Sequence, residues 1–405
     1  MTSTPNIERT RAWTILDSRG NWTIAAEVTL ANGAQGQAQV PAGASTGKHE
    51  AVALPAATAA QYVSHEIHEA LKGTPADLPT VDRRLIALDG TPDKSRLGAN
   101  ALLAVSCALA RALTQKTLWQ TLRDIYTPSR PASVPRPMIN ILSGGLHAGS
   151  NIEFQDFLII PHQAATVHEA LQTTVDIHKA VKDALVKQGY MLTGVADEGG
   201  WGPRLESNEQ AIGILTQTLN GKAVIAIDVA SSHFYDPATS TYHLAKENKT
   251  LTSGQMVDLL EAWSIKYPLV SIEDGLAEDD WQGWSQLTER LGNKLQLVGD
   301  DFFTTNLARV QRGIASQSAN AVLVKMNQIG TLTETFEVIE AAHNAGYRCV
   351  VSARSGETED SFLADLATAS GAGQIKIGSI TRSERLAKYN RMIEIEHTGL
   401  PFAAL

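Results

Sequence analysis

Four short apolar runs, each leading into an ionisable residue, limit what this chain can fold into. Residues 222–227 lead into Asp228, 268–272 into Glu273, 295–299 into Asp300 and 321–324 into Lys325. Glu273, Asp300 and Lys325 are spaced 27 and 25 residues apart, the length of one strand, one helix and two loops. Short uninterrupted apolar runs suit strands covered on both faces, as in parallel sheets. Their repetition predicts consecutive βα units, and in a closed parallel barrel the polar strand ends converge on one face. With 405 residues, the chain has room for a barrel of about 250 residues and a smaller second domain.

Residues 23–30 partly alternate, Asn32-Gly33 offers a hairpin turn, and 35–40 returns as a second strand. Residues 57–126 read as helices and end in the apolar-rich stretch 97–118, so 1–127 is expected to be an α+β domain. Pro128, Pro131, Pro135 and Pro137 favour an extended connector over 128–137, which leaves 138–405 for the barrel. A formal charge of −9 disfavours nucleic acid or an anionic membrane as the main partner. No apolar stretch reaches the roughly 18 residues of a membrane span. Cys107 and Cys349 sit in apolar surroundings and the N-terminus lacks a signal-peptide pattern, so a reducing, cytoplasmic setting is expected.

Asp228, Glu273 and Asp300 form an oxygen-rich set without matching His or Cys, which suits Mg²⁺ better than zinc. Acids at strand ends also make ordinary salt bridges, but three in register point to a shared site. Lys325, one βα unit beyond Asp300, would share that mouth, where burial and metal charge can lower a lysine pKa toward base function. Lys376 follows another strand-like run, so either lysine can be the base and the other an anion contact. The glycine-rich run 193–203 reads as an active-site loop offering Asp197 and Glu198, with a plain turn as the alternative. Residues 40–50 fail the phosphate-loop spacing and fit a lid hinged at Gly43 and Gly47, with the Ser45 hydroxyl on it. His65 and His68 lack zinc-protease spacing and are assigned to a solvated helix face. Arg354-Ser355, after the strand-like 349–352, occupies a position where a phosphate or carboxylate clamp fits.

Together these segments resemble enolase, the phosphopyruvate hydratase of glycolysis, along almost the whole chain. The resemblance rests on Ile15-Leu-Asp-Ser-Arg-Gly-Asn21, Gly43-Ala-Ser-Thr-Gly47, His147-Ala-Gly149, Asp197-Glu-Gly-Gly200, Ser271-Ile-Glu-Asp274 and Val298-Gly-Asp-Asp301. It continues through Lys325-Met-Asn-Gln-Ile-Gly330, Arg354-Ser-Gly-Glu-Thr-Glu-Asp360, Gly373-Gln-Ile-Lys376 and Arg382-Ser-Glu-Arg-Leu-Ala-Lys-Tyr-Asn390. It implies an α/β protein, a modified β/α (TIM-type) barrel with a smaller N-terminal α+β domain, assembled as a homodimer. The implied substrate is a small phosphorylated anion, 2-phosphoglycerate, dehydrated to phosphoenolpyruvate.

By that resemblance Asp228, Glu273 and Asp300 would bind one Mg²⁺, and Ser45 would help hold a second with substrate. Lys325 would be the base, as in the lysine-plus-metal pattern of the enolase superfamily, and Glu198 the acid. Gln155, Asp156, Arg354, Ser355 and Lys376 would contact the substrate, and His147 would close over its phosphate. Two departures fall inside this set. Ala353 stands where the family pattern has histidine, and Asp156 stands where it has glutamate, which withdraws a carboxylate by about 1.5 Å. Leu146 and Trp201 are smaller departures beside them. The residues for proton abstraction are kept and those on the leaving-group side are altered. The alternatives are therefore a paralogue acting on a related phosphorus ester, like the carboxyphosphonoenolpyruvate synthases, or a catalytically weak binding protein on the same scaffold.

Overall fold

The computed structural model describes residues 4–43 and 46–405. Strands β1 (Ile7–Leu16), β2 (Trp22–Leu30) and β3 (Gln35–Gln39) form an antiparallel sheet in that order. The β2–β3 hairpin is the one its turn residues predict. β1 was absent from the sequence expectation, because Glu8, Arg9 and Arg11 interrupt its apolar pattern. Its charges find partners across the pair, where Arg11 Nε donates to Glu27 Oε1 at 2.8 Å. Helix Ala99–Ala112 is buried along nearly its whole length, and its alanines let it lie directly on the sheet. At Gly36 of β3 any side chain would run into the Ala108 carbonyl of that helix.

The larger part is a closed eight-stranded barrel. Its first three strands are β4 (Arg136–Ser143), β5 (Asp156–Ile160) and β6 (Val224–Asp228). A small antiparallel sheet of β7 (Tyr235–Asp236), β8 (Thr241–Leu244) and β9 (Lys249–Thr252) follows. The barrel resumes with β10 (Leu269–Glu273), β11 (Gln296–Gly299), β12 (Ala321–Val324), β13 (Arg348–Ser352) and β14 (Gly373–Gly378). β14 pairs with β4, and β6 pairs with β10, which closes the ring.

An all-parallel barrel is corrected at one strand. β5 runs antiparallel to both β4 and β6. The connection from β4 to β5 contains a 3₁₀ turn, Gly145–Ala148, and no helix, whereas a parallel return usually requires a crossover helix. As a result β5 begins at the end of the barrel where β4 and β6 finish: Asp156 lies in register with both Ser143 and Asp228.

Met138, Leu158, Ala226, Val298, Leu323 and Val350 belong to the apolar cluster inside the barrel, so its mouth, not its centre, is available for chemistry. Four outer helices start at Thr252, Asp280, Asn306 and Thr331, whose side chains accept first-turn backbone N–H bonds. The N-terminal domain docks through Asp82, which accepts from Thr333 N at 2.9 Å and Thr333 Oγ1 at 2.7 Å, and through Lys94–Glu334 at 2.8 Å. The stretch read as connector is itself packed: β4 begins at Arg136, and Val134 N donates to Pro401 O at 2.9 Å. Among the described residues no helix is long and apolar enough to cross a membrane.

Candidate active site

The four strand-end residues converge at one mouth. Asp228 and Glu273 close β6 and β10, Asp300 and Lys325 follow β11 and β12, and Lys376 comes in from β14. Lys376 Nζ lies 2.8 Å from Asp228 Oδ2 and 2.8 Å from both carboxylate oxygens of Glu273. Lys325 Nζ lies 2.5 Å from Asp300 Oδ2, whose other oxygen accepts from Gln328 Nε2 at 2.9 Å. All three acids are buried. Gln155 Nε2 donates to Asp228 Oδ2 at 3.3 Å.

Lys376, expected to contact substrate, bridges two of the three carboxylates expected to hold the metal. At Lys325 burial acts to lower the pKa, and the Asp300 carboxylate outweighs burial and raises it. Glu273 is pushed well above the usual carboxyl range by burial and by Asp228, with Lys376 opposing. Three buried carboxylates in contact with two ammonium groups form a site that already accommodates positive charge. An all-oxygen donor set of that kind fits Mg²⁺.

Asp274, Asp300 and Asp301 also lie close enough together to share an ion. Asp274, however, accepts the backbone N–H of Asp300 at 2.9 Å and of Asp301 at 2.8 Å. Asp274 thereby fixes the loop that presents Asp300.

The second cluster exists because β5 is reversed. Asp156 Oδ2 is 2.8 Å from His147 Nδ1, and Asp156 Oδ1 accepts from Asn140 Nδ2 at 2.5 Å. His147 Nε2 faces Glu198 Oε1 at 3.9 Å. Burial works against charge on the His147 ring, but Asp156 and Glu198 overcome it and raise its pKa to about 9. Burial raises the Asp156 carboxyl, opposed by His147. Glu198 is lowered despite its burial, by His147, Arg385 and the two lysines. The glycine-rich loop that carries Glu198 is packed and not a plain turn: a Cβ at Gly200 would lie 2.9 Å from both Asn140 Oδ1 and Ser143 Oγ.

The lid segment lies against the mouth. His49 Nε2 is 2.9 Å from Asp279 Oδ1, and Lys48 N donates to Glu278 Oε2 at 2.9 Å. Ser45, the expected ligand of a second Mg²⁺, falls outside the described residues. Arg354 forks onto Glu50 of the same segment, with Nη1 at 2.9 Å and Nη2 at 3.1 Å, and Nη1 also meets Asn327 Oδ1 at 3.0 Å. Ser355 is buried, and its carbonyl accepts from Arg385 Nη2 at 2.7 Å. Ala353 is buried as well; its N–H donates to Lys376 O at 2.8 Å. His65 is exposed as expected, but His68 is half-buried and its Nδ1 accepts from Thr10 N at 3.2 Å.

Sequence reasoning missed Asn140, Glu50, Gln328 and Asp274. Only Asn140 carried a signal of its own, an amide inside the apolar strand Arg136–Ser143.

Two family models match the chain. "Enolase, N-terminal domain" matches residues 7–123, and "Enolase, C-terminal TIM barrel domain" matches residues 131–400.

Proposed function

The chain belongs to the enolase family, and from that premise we propose that this lyase converts 2-phosphoglycerate reversibly to phosphoenolpyruvate and water, with Mg²⁺. The observation that carries the proposal is the presence, at one barrel mouth, of a lysine–carboxylate site and an acid–imidazole–acid cluster. Such a pair of groups can remove a proton on one side of a substrate and return one on the other.

In this reading Arg354 and Ser355 take the phosphate, with Glu50 giving up the guanidinium fork as substrate enters. Gln155 and Lys376 orient the carboxylate end. Lys325 removes the proton from the carbon beside the carboxylate, and that electron pair passes into the carboxylate as an enolate. Asp228, Glu273 and Asp300 would hold a Mg²⁺, which would supply positive charge to offset that of the enolate. The β C–O bond then breaks as the double bond forms. Its electron pair leaves with oxygen, and the His147–Glu198 pair supplies the proton that makes the leaving group water.

Ala353 and Asp156 support a second reading, a paralogue whose ester carries a different leaving group. Purified protein with Mg²⁺ and 2-phosphoglycerate, followed by enolpyruvate absorbance, separates the two. Turnover at ordinary enzyme rates is the expected result. Exchange of the substrate α-proton with deuterium but no elimination would instead favour the paralogue, and absence of both would remove the enzymatic reading.

A further inference from the structure

Asp156 is fully buried, with one oxygen on His147 Nδ1 and the other on Asn140 Nδ2. A carboxylate so enclosed is not presented to a ligand. Asn140 is equally buried, and its orientation is determined by two acceptors, Asp156 Oδ1 and Ser143 Oγ at 2.9 Å. Its own Oδ1 accepts no hydrogen bond from the described residues and faces Gly200, two residues from Glu198. One amide on β4 thus spaces β5, which carries Asp156, from the loop that carries Glu198.

We propose that Asp156 and Asn140 are positioning residues: Asn140 braces Asp156, Asp156 holds the His147 ring by Nδ1, and Nε2 is thereby kept aimed at Glu198. This rests on the reaction proposed above for the site, but the juxtaposition stands apart from the identity of the substrate. The imidazole, not Asp156, is then the group offered to the leaving side. The charged and titratable groups around the ring are Asp156 on β5, Glu198 on its loop, Asp228 on β6 and His233 on the turn after it. Lys376 and Arg385 act on Glu198.

The test uses full-length, Mg²⁺-loaded protein with ¹⁵N-labelled histidine, comparing wild type, Asp156→Asn and Asn140→Ala. Asp156→Asn keeps shape and removes charge. Its His147 titration should fall by more than about one pH unit, with a changed Nδ1/Nε2 tautomer signature. Asn140→Ala should move the same signals in the same direction by less. With 2-phosphoglycerate, both variants should lose kcat, roughly 10²-fold or more for Asp156→Asn, with KM little changed. An unmoved His147 titration in both variants would overturn the inference, as would a raised KM at unchanged kcat, the mark of a direct substrate contact. If wild type fails to turn over 2-phosphoglycerate, the proposed reaction falls while the NMR comparison still decides the positioning role.

Discussion

The ammonium of Lys376 reaches three carboxylate oxygens at once, so its removal leaves Asp228 and Glu273 buried and facing each other. Breaking a buried ion pair by deleting one partner costs about 3–5 kcal/mol. A Lys376→Met variant treated with EDTA should therefore melt clearly below wild type, and Mg²⁺ should narrow the gap by giving the same carboxylates a new cation. Calorimetry of both proteins with and without metal checks this; equal melting in EDTA would contradict it. At this scale the acids and lysines were legible because each ends or interrupts an apolar run. Their partners were not. Lys376 pairs with residues 148 and 103 positions away, and no local pattern reports which carboxylate a lysine across a barrel will meet.

Among the elements, contact between sheet and helix is set by the smallest side chains. Gly36→Ala would place a methyl group against the Ala108 and Ala112 backbone, and backbone cannot move aside as a side-chain tip does. We expect a loss of roughly 1–3 kcal/mol, read as a lower urea midpoint at unchanged slope. Gly213→Ala, in helix Asn208–Thr218 with open space around it, should be neutral or stabilising by up to about 1 kcal/mol. If the two variants proved alike, close helix–sheet packing would not be the reason for Gly36. The βα units were legible because hydrophobic period and spacing are local properties. β1 and β5 were not, since one is masked by charges that pair with β2 and the other owes its direction to the connection before it.

The two domains of the molecule are joined through Asp82. Burial raises its carboxyl to about 6, against hydrogen bonds from Ser106 and Thr333 that favour the charged form. In an unfolded chain the same group titrates near 3.9. Between these values the unfolded chain has released a proton that the folded protein keeps. The contribution of Asp82 is therefore full below about pH 4 and declines as pH rises through 6. Relative to Asp82→Asn, wild type should lose stability over that interval, measured by urea unfolding at a series of pH values. A difference that stayed flat or grew with pH would contradict this.

The βα periodicity, the carboxylates and lysines at strand ends, the hairpin and the glycine-rich loop are local properties, because each depends on residues near one another in the chain. The occupant of each contact is not local: Lys376 lies between Asp228 and Glu273, Glu50 in the fork of Arg354, and Asn140 behind Asp156. Asp156 shows the reason most clearly. It begins a strand where the other acids end theirs, and only the reversal of β5 brings it to the same mouth.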